Sequence, residues 1–252
     1  MSFDKERFKR LFHYVVWKAG KRDGFGATRL YKVLWFSEAR TYVLTGKPLA
    51  GASYIREKCG PVPREAVPIS KELVREGAIK AWKDNYGDHD TWYFAALRPP
   101  DTSRFSETER RTVSDCINCI DHEHTEKSIS DETYDHAWEI AKVGEDLPFY
   151  AILVERLREP TDEELQWAKL ATRLGPLEQP GVTVAVEGAD SKWKRASDAW
   201  NAVTGVIAHD PTAGKAVTAN GKTRLLILDG ARSIDMPTVK VTYDIGNPEM
   251  IT

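Results

Sequence analysis

Cys116-x-x-Cys119-x-x-His122-x-His124 is the run in this chain that could hold a metal, since Zn²⁺ takes four thiolate and imidazole ligands in a tetrahedron. Its spacing argues against that use. Both cysteines fall three residues apart on a predicted helix beside Ile117 and Ile120, whereas zinc sites usually separate their Cys and His pairs by many residues. The run therefore reads as a core-facing cysteine pair with histidines at the helix end. Nucleophilic catalysis would need a Ser or Cys in a strained turn with a placeable His, such as Gly-x-Ser-x-Gly, and the sequence has none. His13 lies within an amphipathic helix pattern and His209 closes another, as structural histidines do. The glycines between 20 and 26 lack the spacing and the preceding strand of a phosphate-cradling loop. Asp162, Glu163 and Glu164 sit in a helix's first turn, where carboxylates favour the positive end of the dipole. The expectation is a non-enzymatic protein with no catalytic residue, no metal and no cofactor.

The elements that would position any site follow from periodicity. Phe8, Leu11, Phe12, Val15 and Val16 recur at helical spacing over 3–19. A second helix starts near Thr28 as N-cap and runs to Gly46-Lys47-Pro48. Gly60-Pro61-Val62-Pro63 reads as a stiff turn, because proline fixes φ and restrains its predecessor. A third helix over 65–76 carries Ile69, Leu73 and Val74 inward and stops at Gly77. Residues 78–82 and 91–95 are aromatic-rich strands flanking a polar 83–90, a β-hairpin. Helices are expected from a Ser106/Glu109 capping box onward and over 130–143, 149–157 and 161–174, the last opened by Thr161 and Glu164 and closed by Gly175.

The breaker-rich stretch 175–181 marks the expected domain boundary. Beyond it lie a strand at 182–186, a helix at 191–207 with Trp193, Trp200 and Val203 inward, a hairpin of 215–219 with 223–228 across Asn220-Gly221, and a final strand at 238–245. The predicted fold is α+β: a mainly helical domain over 1–174 with a winged-helix-like β-hairpin, and a small α+β module over 182–252.

Charge is uneven. Residues 1–32 hold nine Lys/Arg against three Asp/Glu, and residues 101–164 hold seven against eighteen, so an acidic docking face including Glu123, Glu126, Asp131, Glu132 and Asp135 is one reading of the second stretch. The charged N-terminus and the lack of ~18 consecutive apolar residues predict a soluble, unexported protein. Three cysteines suit a reducing compartment, the cytoplasm.

Four segments in order resemble the Panacea (SocA-like antitoxin) family, over roughly 3–155. Arg29-Leu30-Tyr31-Lys32-Val33-Leu34-Trp35-Phe36-Ser37-Glu38 is similar to that family's Lys-Leu-x-Lys-Leu-Leu-Tyr-Phe-Ala-Asp helix, and Gly46-Lys47-Pro48-Leu49 to its Gly-x-Pro-Ile turn. Tyr54 through Gly60-Pro61-Val62-Pro63 resembles Tyr-x-x-x-x-Tyr-Gly-Pro-Val-Pro, and Phe105-Ser106-x-x-Glu109 a Phe-Ser-x-x-Glu helix start. Trp35, Glu38 and Tyr134 stand where the family has Tyr, Asp and His. The resemblance implies a bacterial or phage antitoxin that neutralises a cognate protein toxin, by direct binding or by delivering it to a protease complex.

Gly60-Pro61-Val62-Pro63 then reads as a contact loop pre-shaped by proline, with Tyr54, Trp82, Tyr86 and Trp92 as aromatic anchors. The alternative is a DNA-binding regulator of winged-helix type, with a basic N-terminus for phosphates. Its recognition helix over 65–76 offsets Lys71 and Arg75 with Glu65, Glu72 and Glu76, a poor surface for a polyanion. Nucleic acid and membrane are not expected partners.

Overall fold

The computed structural model describes residues 3–20, 25–86, 89–122, 141–173 and 193–245. They form two compact units, one holding the described residues up to Phe149 and the other those from Tyr150 onward. The fold is α+β, as expected. The division differs from the predicted one because β6 (Leu157–Arg158) pairs with β8 (Thr223–Leu228), which draws the trailing helices into the second unit. Residues 175–181, like the strand expected at 182–186, the helix end at Gly175 and residues 130–140 of an expected helix, lie outside the described residues; 141–143 are not helical.

In the first unit, α1 (Lys5–Ala19) opens at Asp4, whose carboxylate accepts the Arg7 N–H, and ends on left-handed Gly20. Phe8, Leu11, Phe12, Val15 and Val16 form its buried stripe, the helical pattern read from the sequence. After β1 (Phe25–Gly26), α2 (Ala27–Thr45) starts one residue before Thr28: its N-cap is Gly26, with no side-chain cap bond. Gly46 closes α2 at φ 79, and its N–H reaches the Tyr42 carbonyl. Only glycine takes that backbone without strain.

Gly60-Pro61-Val62-Pro63 is a strand, not a turn. β2 (Tyr54–Glu57) and β3 (Gly60–Pro63) pair antiparallel with Tyr54 opposite Pro63 and Glu57 opposite Gly60, so the turn lies at Lys58-Cys59. Proline tolerates such a two-stranded edge because it needs no ladder donor there. Gly60 takes φ 137, which explains glycine at the start of the motif. α3 (Ala66–Arg75) buries Ile69 and Leu73, while Val74, expected inward, is exposed.

β4 (Ile79–Tyr86) and β5 (His89–Ala96) make a longer hairpin than predicted, because the polar residues after Trp82 continue the ladder. β1 adds beside β5, giving the order β1-β5-β4. Phe94 is buried edge-to-face on Phe12 of α1 at 5.5 Å, which fixes the hairpin to the helices. α4 (Glu107–His122) is opened by the expected capping box: the Ser106 N–H donates to Glu109 Oε2 at 2.8 Å and the Glu109 N–H to Ser106 Oγ at 3.2 Å.

In the second unit a 3-10 helix (Phe149–Arg156), whose first residue still belongs to the first unit, leads into β6. α5 (Asp162–Arg173) carries the Thr161/Glu164 box, with bonds of 2.9 and 3.3 Å. α6 (Ala196–His209) buries Ala199, Ala202, Val203 and Val206 but leaves Trp193 and Trp200 half-buried. β7 (Lys215–Ala216) pairs with β8 across Gly221 at φ 68, and β9 (Val239–Asp244) pairs along the other side of β8. Leu165 and Ala168 of α5 pack on Val217, Leu225 and Ile227. No helix among the described residues is long and apolar enough to cross a membrane.

Candidate partner-binding site

The predicted contact loop is held from two sides. Glu38 is fully buried on α2, and its carboxylate accepts the backbone N–H groups of Ala50 (2.8 Å), Gly51 (3.0 Å) and Ala52 (3.2 Å). Three converging amides make an anion-binding nest that fixes the chain entering β2. Burial pushes the Glu38 carboxyl above its ordinary range, and the three amides and the more distant Arg7 pull it part of the way back. From the other side, the 144–147 segment runs along β2: the Leu147 N–H donates to the Tyr54 carbonyl at 2.8 Å and the Arg56 N–H to the Glu145 carbonyl at 2.9 Å. Arg64 grips Asp146 Oδ1 through Nε and Nη2 at 3.1 and 2.7 Å.

Tyr54 belongs to the core. Its ring meets Trp35 at 5.0 Å and Phe149 at 5.8 Å, and Phe149 stacks on Trp35 at 5.4 Å and 13°. Gly60, Pro61 and Pro63 are buried as well and Val62 is half-buried, so Tyr54 and most of the proline segment face the core instead of a partner. Strand pairing explains the difference: proline's rigidity serves packing here, and the exposed residues are Lys58 and Cys59 at the turn.

Trp82 and Trp92 are placed differently. Trp92 is 46% exposed on β5, opposite Lys83, whose ammonium lies 5.6 Å from the indole. Half-buried Trp82 stacks on its cross-strand neighbour Tyr93 at 6.0 Å, with the Lys80 ammonium 4.9 Å over its ring. Tyr86 ends β4 opposite His89. The structure thus separates the eight residues into a buried β2–β3 group and an aromatic hairpin group.

Four cations of the basic N-terminus are paired within the unit. Lys5 pairs with Glu72, Lys9 with Glu76 at 2.8 Å, Arg7 with Glu109 at 2.6 Å and Arg10 with Asp101. Glu72 on α3 and Glu76 just beyond it, two of the three carboxylates that weaken this stretch as a DNA reader, are therefore tied to α1. Of the expected acidic face, Glu123, Glu126, Asp131, Glu132 and Asp135 lie outside the described residues. Cys116 is buried and Cys119 exposed, burial pushes the Cys116 thiol upward, and among the described residues no three metal-ligating side chains gather. His13, whose Nε2 lies 2.9 Å from the Arg98 carbonyl, ties α1 to the chain after β5, and burial lowers its pKa.

Residues 30–139 match the family described as "Antitoxin SocA-like, Panacea domain". Over these residues the chain is similar to the Panacea domain. The match runs from within α2 through the hairpin and α4, so the Glu38 nest, β2–β3, exposed Trp92 and half-buried Trp82 fall within the matched range, while α1 lies outside it yet packs in the same unit. No curated protein and no solved structure matches the chain.

Proposed function

We propose that the protein is a cytoplasmic, non-enzymatic antitoxin that binds a cognate protein toxin and neutralises it, directly or by presenting it to a protease complex. The observation that carries this reading is the Panacea match over residues 30–139. Two features support protein binding over nucleic-acid binding. Four of the five α1 cations are paired within the unit, which leaves fewer for phosphates. The hairpin holds exposed Trp92 and half-buried Trp82 on a two-stranded frame, and tryptophan is a preferred anchor in protein interfaces.

The test is co-expression with the neighbouring reading frame. The reading expects that frame alone to arrest growth, the pair to grow, and the two products to co-purify. A neighbouring product that is harmless, or that still arrests growth in the presence of this chain, contradicts it.

A further inference from the structure

In sequence, Lys71 and Arg75 are offset by Glu65, Glu72 and Glu76, and folding separates the two signs. Glu72 and Glu76 turn toward α1, where Lys5 and Lys9 hold them. The Lys5 hydrogen bond keeps the Glu72 carboxyl below its usual range, with smaller electrostatic contributions from Lys9 and Arg75. One carboxylate oxygen of Glu65, at the N-cap position, is buried. Lys71 and Arg75 are exposed, and neither makes a hydrogen bond or an ion pair among the described residues. Val67 and Val74 are exposed as well. At 3.6 residues per turn, positions 67, 71, 74 and 75 share the face opposite buried Ala66, Ile69 and Leu73. Half-buried Ser70 lies between the two valines, and its hydroxyl donates to the Val67 carbonyl at 2.9 Å. The outer face of α3 is thus an apolar seam of Val67, Ser70 and Val74 bordered by two cations.

We propose that this face of α3 docks an amphipathic helix of the toxin, one that carries carboxylates beside an apolar ridge; the inference rests on the antitoxin reading above. Val67, Ser70 and Val74 stand three and four residues apart, the spacing at which one helix seam packs against another, and charges flanking such a seam set the choice of partner. Lys71 and Arg75 are an i, i+4 pair of like charges, which repel on a helix surface. A carboxylate set between them relieves that repulsion. A DNA-reading helix contacts base edges with its N-terminal residues, and here those are Ala66, Val67 and Pro68, which have no side-chain donor. Two cations are also few for a polyanion. A second copy of the chain fits no better, because a two-fold interface must be self-complementary and this face would set cation against cation.

The test uses the product of the neighbouring reading frame, made by cell-free synthesis, and measures its affinity for the immobilised full chain. Affinity for wild type should fall as salt rises from about 50 to about 500 mM. Lys71→Glu with Arg75→Glu should weaken binding about tenfold or more, and Val67→Ser with Val74→Ser about tenfold, with circular dichroism unchanged because all four side chains are exposed. If the charge reversal loses the fold, the milder pair Lys71→Gln with Arg75→Gln carries the same test. Tight binding by wild type and by every variant alike overturns this inference and leaves the antitoxin reading standing. No binding by wild type contradicts the antitoxin reading and removes the inference with it. A short DNA duplex that binds wild type but not the charge-reversed pair, while the neighbouring product binds both equally, would assign the face to nucleic acid and also overturn the proposal.

Discussion

Arg7 of α1 donates from Nη2 to Oε1 of Glu109 on α4 at 2.6 Å, while its guanidinium lies 5.1 Å over Phe105. The other Glu109 oxygen closes the Ser106 capping box. One carboxylate thus starts α4 and ties it to α1.

Glu109→Ala should remove both contacts and cost about 1–2 kcal/mol, the sum of a lost cap and a part-exposed ion pair. Glu109→Gln, which can still accept the Ser106 N–H, should lose less. Urea unfolding of the two variants checks the order. Equal losses would separate the cap from the stability of the unit.

Glu38→Ala should cost about 3 kcal/mol, because three buried amides lose their acceptor. Glu38→Gln carries a pH signature. Burial raises the folded carboxyl above its unfolded value, so its contribution is fully present below about pH 4.3 and is lost as pH rises through the folded value. Melting wild type and Glu38→Gln at acidic and alkaline pH should show the gap between them narrowing as pH rises.

Glu164 has the opposite sign. Arg158, Lys240 and the Thr161 N–H hold its carboxyl well below the usual range, so its contribution is present above about pH 4.3 and is lost as pH falls through the folded value. Glu164→Gln should flatten the acid limb of unfolding, read by a probe in the second unit. An unchanged acid limb would show that the Arg158 and Lys240 pairs contribute nothing measurable there.

The two tryptophan and proline groups should separate function from folding. Trp92→Ala removes an exposed side chain and should leave stability within about 0.5 kcal/mol while weakening neutralisation in the co-expression assay. Tyr54→Ala should cost about 3–5 kcal/mol by opening the core. Pro61→Ala with Pro63→Ala should lower stability and neutralisation together, because these prolines are buried in β3. Thermal melts alongside growth rescue check all three.

Much of the structure was legible where its signals are local. The stripe of α1, the Gly46 and Gly77 stops and the Ser106/Glu109 box in the first unit, and the Thr161/Glu164 box in the second, are set by residues a few positions apart. What was missed depends on partners distant in sequence. Two prolines look like a turn until β2 is seen beside them. Lys83 and Asp84 look like a loop until Trp92 and Thr91 pair with them. Glu38 is an ordinary helix carboxylate until the chain folds back and aims three amides at it. The Gly-Pro-Val-Pro residues and Glu38, which stands where the family has Asp, were visible as residue types, whereas their burial was not. Tyr54, read from the sequence as a contact residue, is buried for that reason.

β6, β7 and β9 all bond to β8, and β6 leaves the ribosome long before β8 is made. The described residues of the first unit all precede Tyr150. Translation therefore imposes a schedule: the first unit is complete while the second is still waiting for its central strand. Until residues 223–228 emerge, Leu165 and Ala168 have no sheet to cover them. A chain that stops early would carry a folded first half attached to an uncovered apolar helix, the kind of surface that quality-control proteases act on.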